Sequence, residues 1–155
     1  MIFIFFISMI FFHWFFAYGI SFGGFGPDII FIYVFWSNYY FTPCVSLTFS
    51  FFAGIYADFY YSLPFGSHAL GFVLLSFVIN LARKNVEIDS FVPRIVNFLV
   101  SNYSLSFFLM LLSFAMAQNF GYDYMVMIQP FLNAFFFEIF NRLFFMFFKR
   151  KKEYV

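Results

Sequence analysis

A chain of 155 residues that is 65% hydrophobic and 10% charged, with 34 phenylalanines, is far more apolar than a soluble domain, where about 45 to 50% of residues are apolar. Its net charge of +1 provides no basic surface of the kind nucleic acid requires, and its single cysteine, Cys44, excludes an internal disulfide and any cysteine-built metal cluster. At about 17 to 25 residues per membrane span, the length accommodates six helices: the expected organisation is one all-α, six-helix transmembrane domain over residues 1–148, followed by a basic tail over 149–155.

The first apolar segment, Met1 to Tyr18, opens without Lys or Arg, and Ala17-Tyr18-Gly19 is a poor cleavage signal, so it is expected to remain as an uncleaved helix. Within it His13, beside Trp14, reads as a packing or interfacial residue. Gly19 to Gly26 forms the next turn, and its Gly23-Gly24-Phe25-Gly26 run lacks the Lys-Ser/Thr pair of a phosphate loop. The second segment, Pro27 to Phe41, has 15 residues, about 22 Å of helix against a hydrocarbon core of about 30 Å. Flanking residues must extend it, or neighbours must shield it.

In the third segment, Pro43 to Tyr61, Ser46, Ser50, Gly54 and Asp58 recur at every fourth position with Ala53 and Ala57 alongside. This stripe of small and polar groups is expected to face another helix. Asp58 is the most informative member, since an ionisable group at a membrane helix centre costs about 2.5 to 3.5 kcal/mol and needs a partner or a purpose. Three readings stand: a hydrogen-bonded packing joint, a proton, ion or substrate site, and a partner-docking contact. The fourth segment, Phe65 to Ala82, places His68 four residues after Pro64, where the chain has just turned back from Asp58. A contact between the two is expected. No third ligand or nucleophile is spaced around them, so His68 reads as a cap or a carboxylate partner, not a metal ligand or catalytic base.

The fifth and sixth segments run from Arg94 to Gln118 and from Tyr124 to Phe148. The last carries Ala134, Glu138 and Arg142 at successive i+4 positions with Asn133 and Asn141 beside them; Glu138 ahead of Arg142 suits an intrahelical ion pair facing the bundle, and Arg142 can also snorkel toward headgroups. Pro27, Pro43, Pro64 and Pro130 fall at or near expected helix starts. Most phenylalanines read as lipid-facing filler. Six crossings from a cytoplasmic N-terminus put Arg83, Lys84, Arg94 and Lys149 to Lys152 on the cytoplasmic side. Asp28, Asp58, His68 and Asp123 then lie toward the outer face. Nucleophile-elbow, HExxH and paired-carboxylate patterns are absent, so neither an enzyme nor a cofactor is expected.

Gly26-Pro27-Asp28 opening an apolar span, Gly54 four residues ahead of Asp58, and Leu63-Pro64-Phe65-Gly66-Ser67-His68-Ala69-Leu70 together resemble the rod shape-determining MreD family. Length, span count and the basic C-terminal end extend the resemblance over the whole chain, and Pro27 to Leu70 is its most specific part. MreD-like chains often carry basic residues between spans two and three, whereas Ser37 to Pro43 has none. The resemblance implies a bacterial inner-membrane scaffold that binds MreC and acts with the MreB filament, RodA and a class B penicillin-binding protein. It also implies a fold similar to the six-helix substrate-binding subunits of energy-coupling-factor transporters. Structural or partner-binding candidates are Asp28, Gly54, Asp58, Gly66, His68, Glu138 and Arg142. The alternative is a vitamin-like binding subunit of a membrane transporter.

Overall fold

The computed structural model describes residues 2–19, 26–61, 64–83, 91–116 and 125–148. These form six α-helices and no strand: α1 (Ile2–Gly19), α2 (Ile29–Tyr40), α3 (Pro43–Tyr61), α4 (Ser67–Ala82), α5 (Phe91–Ala115) and α6 (Met125–Phe148). Lys84, Asp123, the Gly23 to Phe25 run and the 149–155 tail lie outside the described residues.

The helix bounds follow the apolar segments, with shifts that have local causes. Asp28 caps α2 from outside the helix, its Oδ1 accepting from the Phe31 N–H at 3.0 Å; α2 therefore begins at Ile29 and not at Pro27. Gly66 takes a φ of 98°, a left-handed conformation open to glycine and strained for other residues, which delays the start of α4 to Ser67. α5 starts three residues earlier than Arg94 because Pro93 fits its first turn, where the N–H it lacks has no helical partner. Pro130 departs from expectation: it lies inside α6, in the second turn, and not at its start.

Contacts between the helices give their directions. Asp58 meets His68, Ser50 meets Ser76 and Ser46 meets Asn80, so α3 and α4 are antiparallel. Arg94 with Glu138 and Tyr103 with Met127 make α5 and α6 antiparallel. Asp28 with Asn133 and Trp36 with Asn141 run in the same sense, so α2 and α6 are parallel. Phe5 with Phe49 and His13 with Tyr60 make α1 parallel to α3, while Phe12 with Phe140 and Phe16 with Phe136 set α1 against α6. Successive helices therefore alternate in direction.

At the centre stands α2, the shortest helix. Its 12 residues amount to about 18 Å, and every residue from Ile29 to Asn38 is buried against α1, α3, α4 and α6. Shielding by neighbours thus resolves its shortness. Phe31 and Phe35 of α2 meet Phe98 of α5 and Phe137 of α6, with Phe98 and Phe137 stacked at 4.6 Å and Phe35 edge-on to Phe98 at 4.8 Å. Such ring pairs add about 0.5 to 1.5 kcal/mol beyond area burial. These phenylalanines, with Phe49 and Phe72, are fully buried, so the filler reading fails for the rings that build the core.

Polarity runs opposite to that of a soluble domain. Phe3, Ile4, Phe11, Tyr18, Phe59, Phe107, Phe114 and Phe135 point outward, whereas Ser46, Ser50, Asp58, Ser76, Asn102 and Asn133 are buried. Charged and amide side chains are ordinarily the exposed ones. By length and composition one described helix, α5, suffices to cross a membrane, and α1 and α4 are apolar but shorter.

Candidate functional site

Helix α3 reaches the start of α4 with a carboxylate. Asp58 Oδ2 accepts from the Gly66 backbone N–H at 2.8 Å and from that of Ala69 at 3.4 Å, while Oδ1 accepts from the His68 backbone N–H at 2.7 Å. The first N–H groups of a helix have no partner within it, and a cap residue usually supplies a side-chain acceptor. Here the cap residue is Gly66, which has no side chain to offer. Asp58 takes over that function from a different helix, and its charge faces the positive end of the α4 dipole.

His68 completes the joint. Its Nδ1 lies 3.0 Å from Asp58 Oδ1, a distance at which an Nδ1–H donates to a carboxylate oxygen. The imidazole is flanked by Tyr61 at 5.3 Å and Phe72 at 5.7 Å. The Asp58 side chain is 0% exposed and that of His68 7%.

Gly54, one turn earlier on α3, permits this approach. A Cβ placed there would lie 2.5 Å from the Ala69 nitrogen and 2.8 Å from the His68 carbonyl carbon. Both are main-chain atoms with no rotamer to yield. The stripe of small residues anticipated in α3 is therefore the contact face of the α3 and α4 pair, with Ser46, Ser50, Ala53, Gly54, Ala57 and Asp58 all buried.

The stripe continues to the opposite end of the pair as an amide and hydroxyl network that the sequence reading missed. Ser50 Oγ and Ser76 Oγ are 2.6 Å apart, and Asn38 Nδ2 donates to Ser76 Oγ and the Val34 carbonyl, each at 2.9 Å. Asn80 Nδ2 lies 2.8 Å from Asn38 Oδ1 and from the Ser76 carbonyl, and 3.0 Å from Ser46 Oγ. Arg83 Nη1 donates to the Asn38 carbonyl at 2.8 Å, closing the C-terminal end of α2. The available signal was spacing: His68, Phe72, Ser76 and Asn80 also recur every fourth residue, an antiparallel match to Ser46, Ser50, Gly54 and Asp58.

Helix α6 holds α2 at both ends. Asn133 Oδ1 accepts from the Asp28 backbone N–H at 2.8 Å, and Asn141 Oδ1 accepts from Tyr40 Oη at 3.0 Å and Trp36 Nε1 at 3.4 Å. Asp28 thus serves as cap and anchor point, and it lies close enough to His68 and His13 to interact with both electrostatically. Glu138 and Arg142 do pair, through Nε at 3.4 Å, but Arg94 of α5 approaches Glu138 more closely, with Nη2 3.1 Å from Oε2 and 3.2 Å from Oε1. Arg94 and Glu138 are 16% and 14% exposed, whereas Arg142 is 74% exposed. Only the carboxylate faces the bundle, because each i+4 step carries a side chain about 40° round the helix. The inward partner comes from α5, at a sequence separation no helical spacing rule reaches. His13 is buried edge-on to Tyr60 at 4.3 Å, as a packing residue.

Chemically, the joint is closed: both Asp58 oxygens are occupied by donors from the chain itself, and no group of three or more metal-ligating side chains is present among the described residues. What it can do is fix two helices in one register. Compared with known proteins, the chain matches no family model, no curated protein and no solved structure.

Proposed function

We propose that this protein is a six-span inner-membrane scaffold of the MreD type, one that binds MreC and couples MreB filaments to peptidoglycan synthesis with RodA and a class B penicillin-binding protein. The observation that carries the reading is the joint itself. Gly54, Asp58, Gly66 and His68, four of the residues that carry the family resemblance, form one interlocked contact in which both Asp58 oxygens accept from donors of the chain itself. A scaffold needs a rigid helix pair there, whereas a vitamin-binding subunit needs polar groups left open for a solute.

The membrane setting is supported by the inverted polarity, since buried hydroxyls, amides and a carboxylate inside an apolar exterior suit a hydrocarbon surround. Alternating helix directions suit an even number of crossings with both ends of the chain on one side. In a Cys44→Ser background, cysteines at Asn85 and Lys152 should both resist an impermeant thiol reagent added to intact cells, while Ser21→Cys reacts. Labelling of position 85 from outside sinks the six-span topology.

Detergent-solubilised protein should co-purify with MreC at fixed stoichiometry and melt at a higher temperature in its presence, because a partner that binds only the folded state stabilises it by mass action. No association with MreC, combined with stabilisation by a micromolar vitamin-like compound, would replace the scaffold by the transporter subunit.

A further inference from the structure

The outward face of α6 carries Phe131, Phe135 and Ile139, exposed to 61%, 63% and 40%, and the same face ends in Arg142 at 74%. A charge that prolongs an apolar stripe needs an anion if the stripe lies in lipid. Glu138 does not meet that need alone. It is shared, and Arg94 holds it at 3.1 and 3.2 Å while Arg142 reaches it only through Nε at 3.4 Å. Arg94 thus takes the nearer share of the carboxylate, and Arg142 is the exposed partner.

With 24 residues, α6 is about 36 Å long; centred on a hydrocarbon core of about 30 Å, it places Arg142, six residues before Phe148, about 6 Å inside the boundary. Side chains lean toward the N-terminus of their helix, which for Arg142 is away from the nearer headgroups. The bond from Nε back to Glu138 holds it in that direction.

We propose that Arg142 binds the phosphate of an anionic phospholipid in the cytoplasmic leaflet, drawn inward to meet a guanidinium that Glu138 orients. Arg83, donating to the Asn38 carbonyl at the same end of the bundle, adds positive potential without touching the site. The shape of guanidinium suits a phosphate, since its planar fork donates two parallel hydrogen bonds. This inference rests on the membrane reading above.

The test uses the full-length protein in detergent, titrated with phosphatidylglycerol or phosphatidylcholine and read by native mass spectrometry for retained lipid. Wild type should retain phosphatidylglycerol in preference to phosphatidylcholine. Arg142→Gln should weaken that retention about fivefold, the effect of one basic residue near an anionic surface, with Arg142→Lys in between and the melting temperature little changed. Equal retention of both lipids, or phosphatidylglycerol retention unaffected by Arg142→Gln, overturns the proposal. So does full competition by millimolar inorganic phosphate, which marks a soluble anion as the ligand, or loss of a co-purifying protein in Arg142→Gln with lipid retention intact. Release of the wild-type protein from membranes by alkaline carbonate without detergent is a separate outcome: it removes the membrane reading and the lipid site with it.

Discussion

Asp58→Leu should destabilise the protein by about 3 to 9 kcal/mol, because it strands the backbone N–H groups of Gly66 and His68 and the His68 Nδ1 donor in a buried joint, each at about 1 to 3 kcal/mol. In a thermal melt monitored by helicity in detergent, this variant should unfold well below wild type or fail to accumulate. Asp58→Asn should fall between the two. An amide retains one acceptor oxygen, but its NH2 must then replace a carboxylate oxygen that faces an N–H, so about half of the bonding is lost. His68→Ala should be the mildest of the three, costing about 1 kcal/mol, since its backbone N–H still reaches Asp58 Oδ1 at 2.7 Å. A fully stable Asp58→Asn protein without function points instead to a proton or ligand site.

The same residue shows what the sequence could and could not reveal. A carboxylate at the end of a small-residue stripe, ten residues before a histidine across a proline turn, was legible as a helix contact because i+4 spacing and turn chemistry are local. Its acceptance of backbone N–H groups from Gly66, His68 and Ala69 was not, since that depends on Gly66 being both the left-handed turn and a cap without a side chain. The amide network at Asn38, Ser76 and Asn80, and the pairing of Arg94 with Glu138, join residues 34 to 44 positions apart. Such partners follow from how helices are arranged, which periodicity within one helix cannot specify. Helix α2 makes the point from the other side: its shortness posed the question, and only the surrounding α1, α3, α4 and α6 answered it.

Gly54 offers the sharpest separation of packing from chemistry, because Gly54→Ala adds one methyl group and changes no hydrogen-bonding group. That methyl meets the Ala69 nitrogen at 2.5 Å and the His68 carbonyl carbon at 2.8 Å, so α3 and α4 must part. Overpacking usually costs about 1 to 3 kcal/mol, and the upper end is expected here, since parting the helices also stretches the Asp58 bonds one turn away. Ala69→Gly should not restore stability, because the obstruction is main chain. Gly71→Ala provides the contrast: its Cβ meets Leu105 Cδ1 at 2.9 Å and the Phe108 ring at 3.2 Å, side-chain atoms that can move, so the cost should be smaller and Leu105→Val should recover part of it. Gly54→Ala combined with Asp58→Leu should cost less than the two added separately, since residues sharing one contact are energetically coupled. Strict additivity in the melts would mean that the glycine and the carboxylate act independently, and that the joint is not a unit.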